Sequence, residues 1–266
     1  LSVSRSGFYR WKNRPISKRD LSNDKILFYI RQIHAESNKT YGSPRMTDAL
    51  RAKGIKCNHK RVERLMREKG IYAKTKRQFQ VTTHSKHPRP IAKNLIQMDF
   101  TGSEPNKVWT SDITYIWTRE GWLYLTVFMD LYSRSIVGWS MNNRLTDDLV
   151  IKALKKALWS RSPPPGMIIH SDRGSQYCSN DFKELIKKNK CLQSMSSTGN
   201  CYDNAVTESF FHTLKTELVY HEKYQTRDQA RKSIFKYIEM FYNRKRIHST
   251  LGGVSPYQFE QMRIAA

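Results

Sequence analysis

The sequence predicts an α/β protein with a mixed five-stranded sheet flanked by helices, preceded by an N-terminal all-α, helix-turn-helix-like domain. Two observations lead to this fold class. Apolar residues recur at helical spacing from about residue 22 to 70, whereas from residue 108 short β-branched runs alternate with amphipathic stretches. The 266 residues are enough for one core of roughly 150 residues and a smaller second domain.

Charge is distributed unevenly along the chain. Residues 1–98 carry 24 Lys and Arg against 6 Asp and Glu, and residues 99–266 carry 23 against 17, which gives the net charge of +24. A basic excess of this size is typical of proteins that bind nucleic acid; a basic protein without a polyanionic partner is the alternative. The four cysteines contain no C-x-x-C pair, which predicts reduced thiols rather than a zinc site.

No membrane partner is expected. No apolar run approaches the roughly 18 residues of a membrane-spanning helix, and no signal-peptide pattern opens the chain. Together with the reduced cysteines, this predicts a cytoplasmic protein.

The N-terminal part consists of a basic segment, residues 1–19, and a helical domain, residues 20–73. Three helices are predicted in this domain: one at about 22–38, one from the Tyr41-Gly42-Ser43-Pro44 break to Gly54, and one from an Asn58 cap to Gly70.

A short turn separates the second and third of these helices, which is typical of a helix-turn-helix. The third helix carries four basic side chains that we expect to contact DNA: Lys60, Arg61, Arg64 and Arg67. The alternative is a solvated helical hairpin with basic outer faces. Residues 74–105 are basic, contain Pro88 and Pro90 and show little periodicity, so they predict an extended basic linker.

Residues 106–266 form the predicted sheet domain, which ends in a C-terminal helical extension. Apolar runs separated by turn residues predict an antiparallel meander at 109–117, 122–129 and 136–141. There follow a helix at about 146–160, a strand at 167–170, a helix through Phe182, a strand at 191–195 and a helix at about 203–219. Tryptophans in strands are more often core residues than base-stacking platforms, which predicts burial of Trp109, Trp117, Trp122 and Trp139.

Three carboxylates stand in different contexts within this domain. Asp112 and Asp172 interrupt or follow apolar runs, and Glu208 lies in the last predicted helix, with 35 residues between it and Asp172. Hard divalent cations need carboxylates that converge from different elements. Two such cations, once bound, reverse the repulsion between the carboxylates and a phosphodiester. Lys215, two turns after Glu208 on the same helix face, suits a phosphate backbone. An ordinary structural role explains each carboxylate taken alone, but the three together predict a two-metal site.

Longer stretches around these residues carry a resemblance that runs nearly end to end. They include Tyr41 to Arg45, Trp109 to Ile116, Asp130 to Arg134, His170 to Tyr177, Gly199 to Ala205, Glu208 to Phe211, Tyr242-Asn243, Arg246 and His248-Ser249. With them, the chain resembles the second-frame product (OrfB) of the IS-three group of bacterial insertion sequences. These are transposases of the DDE superfamily with a retroviral-integrase-like, RNase H-like core.

The resemblance implies a catalytic triad of Asp112, Asp172 and Glu208 that holds two Mg²⁺ ions, for which Mn²⁺ substitutes. It implies 3′-end cleavage and strand transfer on the element's terminal inverted repeats and target DNA, by a homodimer or larger oligomer. It also implies a bacterial protein that is associated with the nucleoid in the cytoplasm. DNA contacts are expected from Lys215, Asn204, Arg173, Gln176, Tyr177, Arg246 and His248. For the last two of these residues, a structural cap on the core is an equal alternative.

Two other functions remain open. An RNase H-like nuclease or resolvase would share the acidic cluster but stop at hydrolysis, and a DNA-binding regulator would carry a relic of the catalytic core. The chain shows no sustained heptad pattern, although the full fusion protein of the family carries a coiled coil upstream. If the chain is the downstream part of such a fusion, recognition of the terminal repeats is incomplete in it.

Overall fold

The computed structural model describes residues 4–74, 91–96, 102–196 and 205–264. The chain divides into two compact units, residues 1–74 and 75–266. No helix in the described ranges is long and apolar enough to cross a membrane.

Four helices make up the described part of the first unit: α1 Arg5–Lys12, α2 Lys18–Glu36, α3 Ser43–Ala52 and α4 His59–Glu68. The three predicted helices correspond to α2, α3 and α4. No helix is predicted where α1 lies; the Ser4 side chain caps it by accepting a hydrogen bond from the Gly7 amide, and none of its residues is buried.

Helices α2, α3 and α4 share one small core. Ile30, Met46, Leu50 and Val62 are fully buried in it and occupy the apolar positions whose spacing predicts the helices. The expected cap of α4 is formed, since the Asn58 side chain accepts a hydrogen bond from the Lys60 amide. Helices α3 and α4 therefore form an adjacent, helix-turn-helix-like pair.

The second unit is built on a five-stranded sheet: β1 Val108–Thr118, β2 Gly121–Asp130, β3 Ile136–Asn142, β4 Ile168–Ser171 and β5 Leu192–Met195. The strand order is β3-β2-β1-β4-β5. The first three strands are antiparallel, and β4 and β5 join β1 in parallel. The predicted α/β fold with a mixed five-stranded sheet is confirmed, and β1 is its central strand.

Helices pack on both faces of this sheet. On one face, α5 Asp147–Arg161 and α6 Asn180–Lys188 enclose a core with Trp109 of β1 and Phe128 of β2. On the other, α7 Ala205–Glu217 contacts β1 through Thr110, whose side chain alternates with that of Trp109. Helix α8 Arg227–Phe235 continues as a π-helical segment, Lys236–Tyr242, and α9 Pro256–Ile264 follows.

Helix α5 lies directly on β3. A Cβ atom at Gly138 would come within 2.5 Å of the Ala153 carbonyl oxygen. Only glycine permits this approach, which fixes the layer that buries the sheet.

Residues 91–96, predicted as part of the linker, pack against β5. Leu95 N donates a hydrogen bond to Ser194 Oγ at 2.9 Å, Met195 N donates to Lys93 O at 3.4 Å, and Ile96 is buried. This stretch is therefore part of the sheet unit. The rest of the predicted linker up to residue 101, apart from Lys74, lies outside the described residues.

Candidate active site

Two aspartates lie side by side at the point where the parallel pairing of β1 with β4 ends. The register of β1 and β4 pairs Ser111 with Ser171, so Asp112 and Asp172 are the next residue on each segment. Both are half-buried. The sheet topology, rather than any local motif, brings together two residues that are 60 positions apart in the sequence.

Glu208 approaches from α7, which is fastened to β1. Thr207 Oγ1 donates a hydrogen bond to Thr110 Oγ1 at 2.7 Å, and both threonines are fully buried. Thr207 directly precedes Glu208, and Thr110 stands two residues before Asp112. This bond fixes the first turn of α7 beside the strand that carries Asp112.

Burial and neighbouring charges shift the pKa values of these side chains. Burial raises the pKa of Asp112 well above its ordinary value, and the charges of Asp172 and Glu208 raise it further, while the Ile113 amide and Lys215 lower it. Burial and then the Asp172 charge raise the pKa of Glu208. Burial lowers the pKa of Lys215, against the opposing effect of Asp112. A nearby cation stabilises the charged form of carboxylates whose pKa values are raised in this way.

The chemistry of this donor set fits a hard divalent cation, because all three side chains offer carboxylate oxygens. Within the described ranges, however, no three His, Cys, Asp or Glu side chains are close enough to hold one ion together. Binding of a single ion by all three carboxylates at once therefore requires them to draw closer than in this conformation.

Tyr177 lies beneath the two aspartates, in a 3₁₀ turn from Ser175 to Cys178. Its side chain is fully buried, with its hydroxyl 2.8 Å from Ser111 Oγ and 3.4 Å from Thr126 Oγ1. Thr126 Oγ1 also donates to the Asp112 carbonyl oxygen at 3.1 Å. The prediction that Tyr177 lines the DNA path is wrong, because a fully buried side chain cannot reach DNA. Its hydroxyl instead joins the segments that carry the two aspartates.

The loop after β4 is held by its own polar contacts. Gly174 N donates to Asp172 Oδ1 at 2.9 Å, and Arg173 Nε donates to Ser196 O at 2.8 Å. Arg173 and Gln176 are half-buried, and their contact with DNA stays a prediction. Asn204 lies outside the described residues.

Arg246 forms a buried ion pair and not a surface contact. It is 4% exposed, and its guanidinium donates to both oxygens of Glu217 at 2.8–3.1 Å. Tyr237 donates to the same carboxylate at 2.7 Å. The prediction that Arg246 contacts DNA is wrong, and the alternative of a structural cap on the core is correct for it. His248 is half-buried in the same cluster, 3.4 Å from Arg246, so its DNA contact stays a prediction.

The four basic residues of α4 differ in their surroundings. Lys60 and Arg67 are exposed. Arg61 donates to Asn23 Oδ1 and Ser22 Oγ, both at 2.9 Å, which ties α4 to α2. Arg64 pairs with Glu68 at 2.8 Å. Contact of these residues with DNA stays a prediction.

The tryptophans of the sheet divide into two groups. Trp109 is fully buried, as predicted, and Trp139 is half-buried with its indole donating to Glu239 at 2.7 Å. Trp117 and Trp122 are 58% and 45% exposed, so the prediction that they are core residues is wrong. Strand alternation predicts the face of the sheet on which Trp117 and Trp122 lie. It does not predict where the helices that cover this face end.

Comparison with known proteins assigns the family. An integrase core domain model matches residues 102–201, a second one matches residues 208–264, and an HTH-like domain model matches residues 22–79. The chain is 45% identical over its full length to transposase InsF for insertion sequence IS3A of Escherichia coli (strain K12), covering 93% of that protein. The chain belongs to the IS3 family of insertion-sequence transposases.

A second relative of this transposase is the insertion element IS600 uncharacterized 31 kDa protein of Shigella sonnei. It is 44% identical over 98% of this chain and 96% of its own length. Among solved structures, the simian T-cell lymphotropic virus intasome in complex with PP2A regulatory subunit B56 gamma matches with a TM-score of 0.51 at 18% identity. That match covers 86% of this chain and 73% of the other. The predicted family and RNase H-like integrase fold are both confirmed, and the chain is a polynucleotidyl transferase by class.

Proposed function

We propose that this transposase cleaves DNA at the 3′ ends of its insertion sequence and transfers the freed 3′-hydroxyls to target DNA. Asp112, Asp172 and Glu208 would be its catalytic carboxylates. One observation carries the proposal: the pairing of β1 with β4 and the hydrogen bond from Thr207 to Thr110 bring carboxylates from three elements to neighbouring positions, on the same side as a half-buried lysine of α7. Carboxylates placed in this way repel one another, and a bound divalent cation relieves that repulsion.

The three carboxylates would hold two Mg²⁺ ions, with Mn²⁺ as a substitute. When bound, the ions supply charge neutralisation, activation of a water or 3′-hydroxyl, and stabilisation of the leaving oxygen in an in-line displacement. Oxygen donors alone are the ligands that these ions prefer.

The protein's own residues orient the carboxylates and the substrate. The Ile113 amide donates to Asp112 Oδ1 at 2.7 Å, and the Gly174 amide donates to Asp172 Oδ1 at 2.9 Å. One oxygen of each carboxylate is thus held by the backbone, which sets the direction of the other. Lys215, on the same helix as Glu208, supplies a positive charge to a scissile phosphate at this edge.

The partner is DNA at the element's terminal inverted repeats and at the target. Joining two element ends to one target requires two active sites, so we propose a homodimer or larger oligomer on DNA. The exposed basic residues of α4 would contribute backbone contacts.

Substitution of the carboxylates tests this function. Asp172→Asn and Glu208→Gln should each abolish end cleavage and strand transfer, because each removes a charged ion ligand while keeping side-chain volume. Affinity for end DNA, measured by fluorescence anisotropy without divalent ions, should stay within about twofold, since uncharged ligands do not weaken phosphate contacts. The matched control is Glu184→Gln, an exposed carboxylate on α6.

A precut DNA end with a free 3′-hydroxyl separates transfer from simple hydrolysis. Wild-type protein should join it to a second duplex. Normal turnover by either active-site variant would contradict the assignment of the carboxylates. Hydrolysis without any joined product would show a nuclease.

A further inference from the structure

The residues on either side of Asp172 are both bonded to Ser196. Ser196 directly follows β5, the strand next to β4 in the sheet. Its amide donates to the Ser171 carbonyl oxygen at 3.0 Å, and its own carbonyl oxygen accepts from Arg173 Nε at 2.8 Å. Because Ser196 is buried, water competes little for these bonds. The backbone on both sides of Asp172 is therefore held by one residue of another segment.

The hydroxyl of Ser196 adds two further contacts. Its Oγ donates to the same Ser171 carbonyl oxygen at 3.3 Å and lies 3.3 Å from His170 Nε2. A serine hydroxyl has one hydrogen to donate. Since that hydrogen goes to Ser171, the contact with His170 is a bond in which the imidazole Nε2–H donates to Ser196.

The other ring nitrogen of His170 faces β5. Nδ1 lies 2.8 Å from Ser194 Oγ, which accepts a hydrogen bond from the Leu95 amide at 2.9 Å. In a neutral imidazole one nitrogen donates and the other accepts, so the Ser194 hydroxyl donates to Nδ1. The hydrogen bonds thus run in one direction, from Leu95 through His170 to Ser171, and both serine hydroxyls on the way donate and accept.

His170 also lies on the face of the sheet that carries the site. The strand register pairs it with Thr110 on β1 and with Ser194 on β5, and Thr110 is the residue by which β1 holds α7. Residues paired across neighbouring strands share one face of a sheet. Asp172 follows His170 by two residues, the spacing at which side chains return to the same face. Asp112 stands in the same relation to Thr110.

We propose that Ser196 and His170 are positioning residues for Asp172. Ser196 fixes the backbone on both sides of the aspartate, and His170 fixes the hydroxyl of Ser196. The inference rests on the proposed function, in which Asp172 is an ion ligand. Both residues are buried, so they act through Asp172 and not by contact with DNA. Replacing a residue that orients a metal ligand typically changes metal affinity or activity about 10- to 100-fold.

Ser196→Ala is the first test, because it removes the hydroxyl and keeps the backbone bonds. The matched control is Ser255→Ala. Ser255 is also a buried serine, and its hydroxyl accepts from the Gln258 amide at the start of α9. The full chain is used throughout. Mn²⁺ binding is measured without DNA, by electron paramagnetic resonance of the free ion, and Asp172→Asn in parallel shows which part of the binding depends on the site.

Strand transfer of a precut DNA end and the melting temperature of each variant complete the measurements. Two variants of His170 test the direction of the hydrogen bonds. Glutamine brings its side-chain amide near the position of Nε2, and asparagine brings its amide near that of Nδ1. His170→Gln therefore keeps a donor for Ser196, whereas His170→Asn keeps a partner for Ser194 alone.

Ser196→Ala and His170→Asn should each weaken the site-dependent Mn²⁺ binding and slow strand transfer about 10- to 100-fold. Affinity for end DNA without divalent ions should stay as in wild type. His170→Gln should recover most of both losses. Ser255→Ala should lower the melting temperature about as much as Ser196→Ala does, and leave Mn²⁺ binding and strand transfer unchanged.

Wild-type Mn²⁺ affinity in Ser196→Ala would overturn the proposal, and this variant decides by itself if the His170 variants do not fold. Equal defects in His170→Gln and His170→Asn would also overturn it, because the bonds would then only support the fold. The proposed function fails by a different result, which is cleavage and joining of DNA by Asp172→Asn. If Asp172→Asn is inactive while Ser196→Ala behaves like Ser255→Ala, the positioning role alone is wrong.

Discussion

Replacing Tyr177 with Phe removes one hydroxyl from beneath the two aspartates and leaves the ring in place. That hydroxyl lies 2.8 Å from Ser111 Oγ, next to Asp112, and 3.4 Å from Thr126 Oγ1. Tyr177 itself follows Asp172 by five residues. The network therefore ties the loop of one aspartate to the strand of the other, and we expect the substitution to loosen their spacing.

The size of the effect follows from the contacts. The 2.8 Å hydrogen bond between Tyr177 and Ser111 is short and buried. Its loss leaves the Ser111 hydroxyl without this partner, which lowers the unfolding free energy by about 1–2 kcal/mol. For a unit of this size, the melting temperature should fall by about 2–8 °C. A catalytic group displaced by a fraction of an ångström costs about ten- to a hundredfold in rate. The Mg²⁺ concentration for half-maximal strand transfer should rise in parallel.

The matched control is Tyr224→Phe. Tyr224 is 3% exposed, and its hydroxyl donates to Ser233 Oγ at 3.0 Å, away from the carboxylates. Urea denaturation should show a similar loss of stability in both variants. Strand-transfer assays over a Mg²⁺ titration, run at a temperature where both are folded, should show a defect in Tyr177→Phe alone. Equal activity and equal Mg²⁺ demand in the two variants would refute the positioning role.

Two further predictions concern stability. Arg246→Met should cost about 3–5 kcal/mol in chemical denaturation, because it leaves Glu217 as a buried unpaired charge; Arg64→Met, which breaks a partly exposed pair, should cost less than about 1 kcal/mol. Burial raises the pKa of Asp130 from 3.8 to about 6 against hydrogen bonds that lower it. The folded state therefore holds the proton more tightly, and stability should fall as pH rises through that window. Unfolding free energy measured from pH 4 to 7 should fall by about 2 kcal/mol more in wild type than in Asp130→Asn, and parallel profiles would contradict this.

The fold and the pair of aspartates could be predicted because their signals are periodic. Helical spacing locates α2 to α4, and β-branched runs bounded by turns locate the strands. Asp172 follows an apolar run that pairs in parallel with β1, and the register of this pairing places it beside Asp112. The two strands that position Asp112 and Asp172 are recognisable from the pattern of apolar residues in the sequence.

Burial of single polar residues could not be predicted in the same way. Arg246 in a strongly basic chain resembles a DNA contact, and its partner Glu217 lies 29 residues away with no pattern that links them. Tyr177 sits in a polar motif, yet its hydroxyl meets serine and threonine from two other strands. The exposed side chains of Trp117 and Trp122 depend on where α5 and α6 stop covering the sheet. Each of these features depends on tertiary packing, which a local sequence pattern does not reveal.

The contacts divide the three carboxylates into a fixed pair and an adjustable third member. Thr126 donates to the Asp112 carbonyl oxygen and the Gly174 amide donates to the Asp172 carboxylate. Helix α7 is anchored at Thr207 by Thr110 and at Glu217 by Arg246. Glu208, exposed in the first turn of α7, retains the freedom of its own side chain. Mutual repulsion favours keeping this third carboxylate apart while no cation is bound, since its approach would raise the pKa values further. We therefore expect assembly of the full site to come from rotation of Glu208 toward the rigid pair, and not from movement of the sheet.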